Sequence, residues 1–312
     1  MLGLAVGDAL GVPVEFRSRA ARRLDPVVGM RAYGTHHQPM GTWSDDAALT
    51  FCLAETLARS EGLHGLPDLD DFGRRCVNWF DKAYWTATGE VFDVGGATHA
   101  AIIHLKQGIE PVLAGPRSEG DNGNGALMRI LPLVFHHTWL AEPLNLDACW
   151  ALTNSVACVT HGHPRSSLGC FLYLAVAREL VRGHAPAAAY ARMRQQVTPW
   201  LEGGSIPAVV EGWYYRAILD GTLPTLDEQL IKSTGYVVHT LEAALWCLLR
   251  HEGYAATVLA AVNLGDDTDT TAAVAGGLAG LAYGAAAIPA EWLEVLARRA
   301  DIEDLADRLA AG

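Results

Sequence analysis

The chain has 312 residues, of which 50% are hydrophobic, and a formal net charge of -12 at pH 7. A chain of this length can bury a sizeable hydrophobic core. Its acidic balance argues against a surface that follows nucleic-acid phosphates, because such surfaces are usually basic. We therefore expect a globular protein with no nucleic-acid partner. No internal repeat or disordered linker interrupts the sequence, so we expect one domain over residues 1–312.

Taken in chain order, the sequence predicts one helix after another. Apolar residues recur at helical spacing, and the alternation typical of strands is nearly absent. Helices are predicted at residues 2–11, 46–60, 68–86, 96–107, 125–137, 146–159, 164–182, 186–201, 206–219, 237–250, 254–262, from 270 onward, and at 289–310. The longer loops are predicted at 17–43, 108–124 and 221–235. The expected fold is all-α, a single compact orthogonal helical bundle.

Acidic and hydroxyl residues gather where two of these helices begin. They are Ser44, Asp45 and Asp46 at one helix and Asp267, Asp269 and Thr270 at the other, with Asp266 beside the second group. Capping of a helix N-terminus needs only one such residue. Several carboxylates pressed together repel one another, and a cation usually offsets that cost. An all-oxygen set suits Mg²⁺ or Mn²⁺. Simple capping and a central cleft that holds two metal ions are the two interpretations.

Five blocks of sequence, in order along nearly the whole chain, carry a family resemblance. They are GLAVGDALGVPVEF, GTWSDDAALT, FDVGGAT, GNGALMRILPL and NLGDDTDTTAAVAGGLAGLAYG, with weaker support from THGHP and GYVVHTLEAALW. Together they resemble the ADP-ribosylglycohydrolase family, which includes the bacterial dinitrogenase-reductase-activating glycohydrolase and the animal ADP-ribosyl-acceptor hydrolases. The resemblance implies a metal-dependent hydrolase that releases free ADP-ribose from an ADP-ribosylated protein or a smaller ADP-ribose conjugate.

The resemblance also implies roles for individual residues. The six residues Ser44, Asp45, Asp46, Asp267, Asp269 and Thr270 would bind two Mg²⁺ or Mn²⁺ ions. Glu15 matches the family's glutamate beside the metals and the scissile bond, and Asp93 matches an aspartate proposed as a base in the bacterial enzyme. Asn124 and His161 match residues that contact ADP-ribose, and Tyr236 matches an aromatic residue near the adenosine. The amides around Gly123 and Gly125 could bind a phosphate, because glycine lets a ligand approach the backbone closely; tight turns are the other interpretation.

Two departures from the family pattern leave the acceptor open. Gly96 stands where the bacterial enzyme has Asn, and Asn122 stands where some animal members have an aromatic residue. Arginine is the expected acceptor, with serine, O-linked esters and small conjugates as alternatives. A non-catalytic ADP-ribose-binding protein is a further alternative. The string from Asp267 to Thr271 also fits the DxDxT signature of phosphatases whose nucleophilic Asp follows a strand.

The remaining features bear on compartment and surroundings. The six cysteines stand in apolar helical contexts without CxxC spacing, which is typical of free thiols in a reducing compartment. No basic region precedes an apolar run near Met1, so we expect a cytoplasmic protein without a targeting segment, acting as a monomer.

The uncharged run from Ala272 to Ala290 is expected to be a buried helix rather than a membrane span. Arginines between Arg17 and Arg23 form a basic patch that is either solvated or in contact with a pyrophosphate.

Overall fold

The regular structure of the chain is helical. The computed structural model describes residues 1–59, 63–204 and 207–311. Its α-helices are α1 (Leu2–Gly11), α2 (Arg19–Leu24), α3 (Asp45–Leu57), α4 (Leu69–Lys82), α5 (Gly96–Lys106), α6 (Pro111–Ala114), α7 (His137–Leu140), α8 (Leu146–Ala157), α9 (Pro164–Val181), α10 (Pro186–Gly203), α11 (Pro207–Glu211), α12 (Arg216–Leu219), α13 (Val237–Arg250), α14 (Tyr254–Asn263), α15 (Thr268–Tyr283), α16 (Ala290–Val295) and α17 (Arg299–Ala311). Between the described residues we find no strand, only isolated bridges joining Tyr33 to Gln38 and Gly123 to Tyr236. The prediction of an all-α fold is confirmed.

Short 3-10 helices join several of these elements. They are Val12–Val14, Gly34–His36, Glu119–Asp121, Leu131–Phe135, Gly212–Tyr215, Leu223–Thr225, Glu228–Leu230 and Ala285–Ala287. The first of them continues directly from α1 and leads to Glu15. The end of α1 therefore fixes where the Glu15 side chain can lie.

Helices α1 and α15 pack against each other with almost no side chain between them. A Cβ atom added at Gly7 would lie 2.1 Å from the carbonyl oxygen of Ala272, and one added at Gly11 would lie 2.3 Å from Cα of Asp269. Only glycine permits such an approach of two backbones. The sequence of α1 thus places its C-terminal end beside the N-terminus of α15, where the second acidic cluster begins.

Helix α15 forms the centre of the core. Residues from Thr268 to Ala279 are buried, and α1, α9, α13 and α14 all contact this helix. The run from Ala272 to Ala290 is therefore a buried core helix over its first part, as expected, but α15 ends at Tyr283 and residues 284–287 are exposed. Among the helices that the structure describes, none is both long and apolar enough to span a membrane.

The prediction of a helix at residues 125–137 is wrong. Residues 125–129 form turns, and Leu131–Phe135 is a 3-10 helix. Pro132 lacks a backbone N–H and disfavours the α conformation of the residue before it, so a regular α-helix cannot run through this position. The apolar residues that suggested a helix are buried all the same.

The helix predicted at 289–310 is interrupted by contacts from a distant part of the chain. It forms α16 and α17, with Arg298 in the left-handed region between them at φ 54°. The amide of Ala297 donates to the Gly41 carbonyl at 3.0 Å, and the Trp43 indole donates to the Ala297 carbonyl at 3.0 Å. These hydrogen bonds replace those of a continuous helix.

Other predicted boundaries differ from those observed. The predicted loops 17–43 and 108–124 contain the short helices α2 and α6, and α4 ends at Lys82 because Ala83 has φ 54°. The segment predicted at 206–219 forms α11, a 3-10 helix and α12, and its predicted first residue, Ile206, lies outside the described residues. Helix α3 ends at Leu57, and the predicted end at Ser60 also lies outside the described residues.

Candidate functional site

The first acidic helix start is built by α3 and by one carboxylate of α1. Ser44 is the N-cap of α3, and Asp45 and Asp46 follow in its first turn. The Asp46 amide donates to the Ser44 hydroxyl at 3.4 Å, and this hydroxyl donates to Asp46 Oδ2 at 3.1 Å. The Asp8 carboxylate accepts hydrogen bonds from the amides of Ser44 and Ala47, each at 2.9 Å. Asp8 therefore satisfies the N-terminus of α3 and leaves the carboxylates of that first turn available for other partners.

The second acidic helix start is built by α15. Asp267 occupies the N-cap position without a capping hydrogen bond from its side chain, and Asp269 stands in the first turn. Asp269 Oδ1 accepts a hydrogen bond from the Thr270 amide at 2.9 Å. The Thr268 hydroxyl donates to the Gly11 carbonyl at 2.8 Å, which ties this helix start to α1. Simple capping of the helix therefore does not explain Asp267.

The two helix starts meet. The Thr270 hydroxyl donates to Asp46 Oδ2 at 3.4 Å, and carboxylate oxygens of Asp8, Asp46 and Asp269 lie within 4.8 Å of one another. The structure therefore brings together the two acidic clusters that lie far apart in the sequence.

Three oxygen atoms of this acidic group have no hydrogen-bond partner within the described part of the chain. They are Asp46 Oδ1, Asp267 Oδ1 and Asp269 Oδ2, and all three are buried. Buried polar atoms are nearly always satisfied, so unpartnered carboxylate oxygens call for an explanation. A divalent cation explains them, because hard cations such as Mg²⁺ and Mn²⁺ prefer oxygen ligands. The group could therefore hold a metal ion.

The carboxyl groups cannot all ionise easily without a cation. Burial raises the pKa of Asp46 well above its ordinary value, and the charges of Asp8 and Asp267 raise it further. Burial and neighbouring carboxylates likewise raise the pKa values of Asp45 and Asp269. Burial also raises the pKa of Asp8, to about 7. A bound dication would reverse these shifts, because an opposite charge favours the ionised carboxylate.

Glu15 lies beside this acidic group. Oε2 of its buried side chain accepts a hydrogen bond from Nε2 of His36. Side-chain atoms of Glu15, His36, Asp93 and Asp269 lie within 4.8 Å of one another. Burial, followed by the charge of Asp93, raises the pKa of Glu15 to about 10. His36 was not predicted as a site residue, because it stands in a loop and nothing in the local sequence indicates its contact with Glu15.

Asp93 lies in the loop before α5 and approaches Glu15 and the acidic group from there. Its backbone has φ 54°, in the left-handed region that non-glycine residues seldom adopt and that recurs at functional sites. Burial raises the pKa of Asp93, and the charge of His36 opposes that shift. The structure thus brings together Glu15 and Asp93, the two carboxyl groups that the family resemblance implicates in catalysis.

A cavity of about 260 Å³ opens onto these carboxyl groups. Its lining residues are Glu15, Phe16, Asp45, Asp93, Gly95, Gly96, Ala97, Thr98, Gly123, Asn124, Gly125, Met128, His161, Gly235, Asp267 and Thr270. Ser44, Asp46 and Asp269 are absent from this lining and are themselves buried. The cavity therefore gives access to the acidic group from one side, past Glu15 and Asp93.

Asn124 lines the cavity and connects its wall to Asp267 of the acidic group. Its Nδ2 donates to Asp267 Oδ2 at 2.8 Å and to the Thr240 hydroxyl at 2.9 Å. Its backbone amide donates to the Gly235 carbonyl at 3.0 Å, so this amide is not available to a phosphate. The role of Asn124 in the structure is thus to hold Asp267 in place at the edge of the cavity.

Gly123 and Gly125 leave room for the His161 ring. A Cβ atom added at Gly125 would lie 2.7 Å from Cε1 of His161, and one added at Gly123 would lie 3.4 Å from its Nε2. Burial lowers the pKa of His161 to about 3, with a further contribution from the positive charge of Arg129. The imidazole is therefore neutral at physiological pH.

Tyr236 stands next to the cavity, outside the lining that the structure describes. It follows Gly235, and its hydroxyl accepts a hydrogen bond from Arg165 Nη1 at 3.2 Å. The guanidinium of Arg165 also lies 3.5 Å from the ring centre of Tyr214. An aromatic surface therefore adjoins the cavity on this side, and the Arg165 beneath it is buried and paired with Glu119 and Glu211.

The basic patch supports the backbone around the site. The guanidinium of Arg19 donates to the Leu264 carbonyl at 2.9 Å and also to the carbonyls of Glu228 and Ile231. The side chain of Arg22 is only 7% exposed. Arg19 therefore braces the segment before α15 and Arg22 is buried, whereas Arg17 and Arg23 of the same patch are exposed.

Two further observations concern the second acidic cluster, one on Asp266 and one on the phosphatase interpretation. Asp266 is exposed and has φ 58°, so its side chain lies apart from the buried carboxylates. Asp267 follows helix α14, whereas the nucleophilic Asp of a DxDxT phosphatase follows a strand. The phosphatase interpretation is therefore wrong.

Comparisons with known proteins cover the whole chain. The ADP-ribosylglycohydrolase family pattern matches residues 1–312. The chain is 31% identical over 310 residues to the ADP-ribosylarginine hydrolase Tri1 of Pseudomonas putida, which covers 99% of this chain and 76% of the relative. It is 30% identical to the ADP-ribosyl-[dinitrogen reductase] glycohydrolase of Rhodospirillum rubrum, with 97% and 90% covered. A solved structure described as an ADP-ribosylglycohydrolase-related protein complex matches with a TM-score of 0.77 and 32% identity, covering 99% of this chain and 94% of the other.

Proposed function

Because the chain belongs to the ADP-ribosylglycohydrolase family, we propose that it hydrolyses the glycosidic bond between ADP-ribose and an arginine side chain. Free ADP-ribose and the unmodified arginine would be the products. The observation that supports this most strongly is the set of three unpartnered, buried carboxylate oxygens beneath a cavity that Glu15 and Asp93 line. A cation-binding group next to two further carboxyl groups is suited to cleavage of a glycosidic bond.

The proposed metal ligands are the residues of the two helix starts. They are Ser44, Asp45, Asp46, Asp267, Asp269 and Thr270, and we propose that they hold two Mg²⁺ or Mn²⁺ ions. Such ions supply Lewis acidity and lower the pKa of a bound water. The N-termini of α3 and α15 also favour the negative charge of these ligands, because the helix dipole is positive there.

Glu15 and Asp93 are the residues to which we assign proton transfer. Both line the cavity beside the acidic group, and burial raises the pKa of each. One of them would protonate the leaving nitrogen and the other would accept a proton from the attacking water, as paired carboxyl groups do in glycoside cleavage. The hydrogen bond from His36 to Glu15 orients that carboxyl group.

Two features support arginine as the acceptor. One named relative is an ADP-ribosylarginine hydrolase. In addition, Phe16 follows Glu15 in the cavity lining and is 66% exposed. A planar guanidinium is attracted to the face of an aromatic ring, so Phe16 offers the arginine group a surface next to Glu15.

The test is release of free ADP-ribose from matched peptides. Arginine-linked and serine-linked ADP-ribosyl peptides would be incubated with Mg²⁺, with Mn²⁺ and with EDTA. We expect metal-dependent release from the arginine-linked peptide and little from the serine-linked one. Preferential release from the serine-linked peptide would overturn the proposed acceptor, and binding of ADP-ribose without release from either would overturn the proposed reaction.

The setting of the reaction is also a proposal. We propose that residues 1–312 form one catalytic domain that acts as a cytoplasmic monomer on ADP-ribosylated protein. The six cysteines support a reducing compartment, because all are buried free thiols.

A further inference from the structure

A buried arginine lies behind the cavity and contacts the wall that carries His161. Arg129 is fully buried, and its Nη2 donates to the Thr160 hydroxyl at 2.7 Å. The same Nη2 is 3.2 Å from the Val156 carbonyl and 3.4 Å from the Ala157 carbonyl, to which it also donates. The Thr160 hydroxyl lies 3.0 Å from Nδ1 of His161. A chain of hydrogen bonds therefore connects Arg129 to the imidazole through one threonine.

The direction of these hydrogen bonds follows from what each group can donate. A guanidinium has only donors, so the Thr160 oxygen must accept from Arg129. A hydroxyl has a single hydrogen, and the described hydrogen bonds give Thr160 Oγ1 one other partner, Nδ1 of His161. If His161 carried its proton on Nδ1, the fully buried Thr160 hydroxyl hydrogen would lose that acceptor.

We propose that Arg129 and Thr160 fix the tautomer of His161, so that its Nε2 always presents a hydrogen to the cavity. The neutral imidazole carries one proton, and a hydrogen bond accepted at Nδ1 leaves that proton on Nε2. Nε2 lies on the side of Gly123 and Gly125, and His161 lines the cavity with both glycines. Arg129 and Thr160 are thus positioning residues, and His161 is the group that meets the ligand.

A fixed donor selects for an acceptor oxygen on the ligand. The phosphate and ribose oxygens of ADP-ribose are such acceptors, so this step rests on the proposed function. A ligand with an N–H or a cation at the same place would face the Nε2 hydrogen and be rejected. The fully buried Arg129 also adds positive charge behind this wall, which favours an anionic ligand.

The experiment compares two substitutions of Thr160. Thr160→Val keeps the shape and removes the hydroxyl, and Thr160→Ser keeps the hydroxyl as the matched control. Long-range proton–nitrogen correlation spectra of the ligand-free protein report which ring nitrogen carries the proton. The His161 signals among the 12 histidines would be assigned by comparison with His161→Gln.

We expect the Nε2–H form of His161 in the wild type and in Thr160→Ser, and a shift toward the Nδ1–H form in Thr160→Val. Thr160→Val should also bind ADP-ribose about ten-fold more weakly, as for loss of one hydrogen bond, with KM raised and kcat little changed. A wild-type His161 protonated on Nδ1 would overturn the proposal, as would a Thr160→Val protein with unchanged tautomer and affinity. The tautomer is measured without substrate, so failure of the proposed reaction would leave this result standing.

Discussion

At the scale of single residues, Glu15 and Asp93 are the groups on which the proposed chemistry depends. Glu15→Gln and Asp93→Asn keep the shape of each side chain and remove the ability to transfer a proton. We expect each variant to lower kcat by roughly 10² to 10⁴, as for loss of a general acid or base. Equal turnover by either variant and the wild type would remove that residue from the mechanism.

Asp8 is the residue that holds α3 in place. Both of its oxygens accept backbone hydrogen bonds, from Ser44 and Ala47. Asp8→Asn leaves one carbonyl oxygen to accept them and brings an amide group against a buried N–H. We expect a loss of about 1 to 3 kcal/mol in the free energy of unfolding, together with weaker Mn²⁺ binding, measured by denaturation and calorimetry. Unchanged metal affinity would show that the first turn of α3 does not need Asp8.

Some of these residues could be identified from the sequence, and others could not. The acidic residues at the starts of α3 and α15 were identifiable because caps and first turns have a local signature. Asp8 and His36 were missed because their partners, Ser44 and Glu15, are distant in the chain. The unpartnered oxygens follow from how two helix starts meet, which no local pattern encodes.

At the scale of elements, the contact between α1 and α15 sets the geometry of the site. Gly7→Ala would place a methyl group 2.1 Å from the Ala272 carbonyl oxygen, against a backbone that cannot move away easily. We expect destabilisation of about 3 kcal/mol or more, measured by chemical denaturation. Gly96→Ala is the matched control, because a Cβ there meets nothing within 4 Å. Similar stabilities of the two variants would contradict the close packing of α1 on α15.

Helical periodicity predicted the long buried helices well and the short ones poorly. Helices such as α9 and α13 carry their own apolar pattern, so the sequence predicts them closely. The break between α16 and α17 depends on two hydrogen bonds of Ala297, whose amide donates to the Gly41 carbonyl and whose carbonyl accepts from the Trp43 indole. Such tertiary contacts override local preference, and a single sequence does not reveal them.

At the scale of the whole molecule, the proposed metal binding would be coupled to stability through the acidic group. Its folded-state pKa values exceed the unfolded ones, with Asp8 at about 7 and Glu15 at about 10. The metal-free folded chain therefore binds more protons than the unfolded chain, and this contribution to stability is lost as pH rises. In EDTA, the free energy of unfolding should fall by roughly 1.4 kcal/mol per pH unit for each extra proton that the folded chain binds.

Melting temperatures from pH 5 to pH 8 would measure this coupling, in EDTA and in saturating Mn²⁺. The difference between the two series cancels the contribution of titrating groups outside the acidic group, such as Glu242, whose pKa burial raises to about 7. We expect the stabilisation by Mn²⁺ to grow as pH rises, because ionised carboxylates bind the cation. A stabilisation that is independent of pH would contradict the assignment of these carboxyl groups as ligands.

The proposed function depends on the two acidic helix starts acting as one cation site. Calorimetric titration with Mn²⁺, followed by the ADP-ribose release assay on the same samples, tests this directly in wild type, Asp46→Asn and Asp266→Asn. Asp266 is the matched control, because it is exposed and asparagine tolerates its positive φ. We predict two bound ions and full release for wild type and Asp266→Asn, with weakened binding and lost release for Asp46→Asn. Wild-type Mn²⁺ binding and ADP-ribose release in Asp46→Asn would contradict the account.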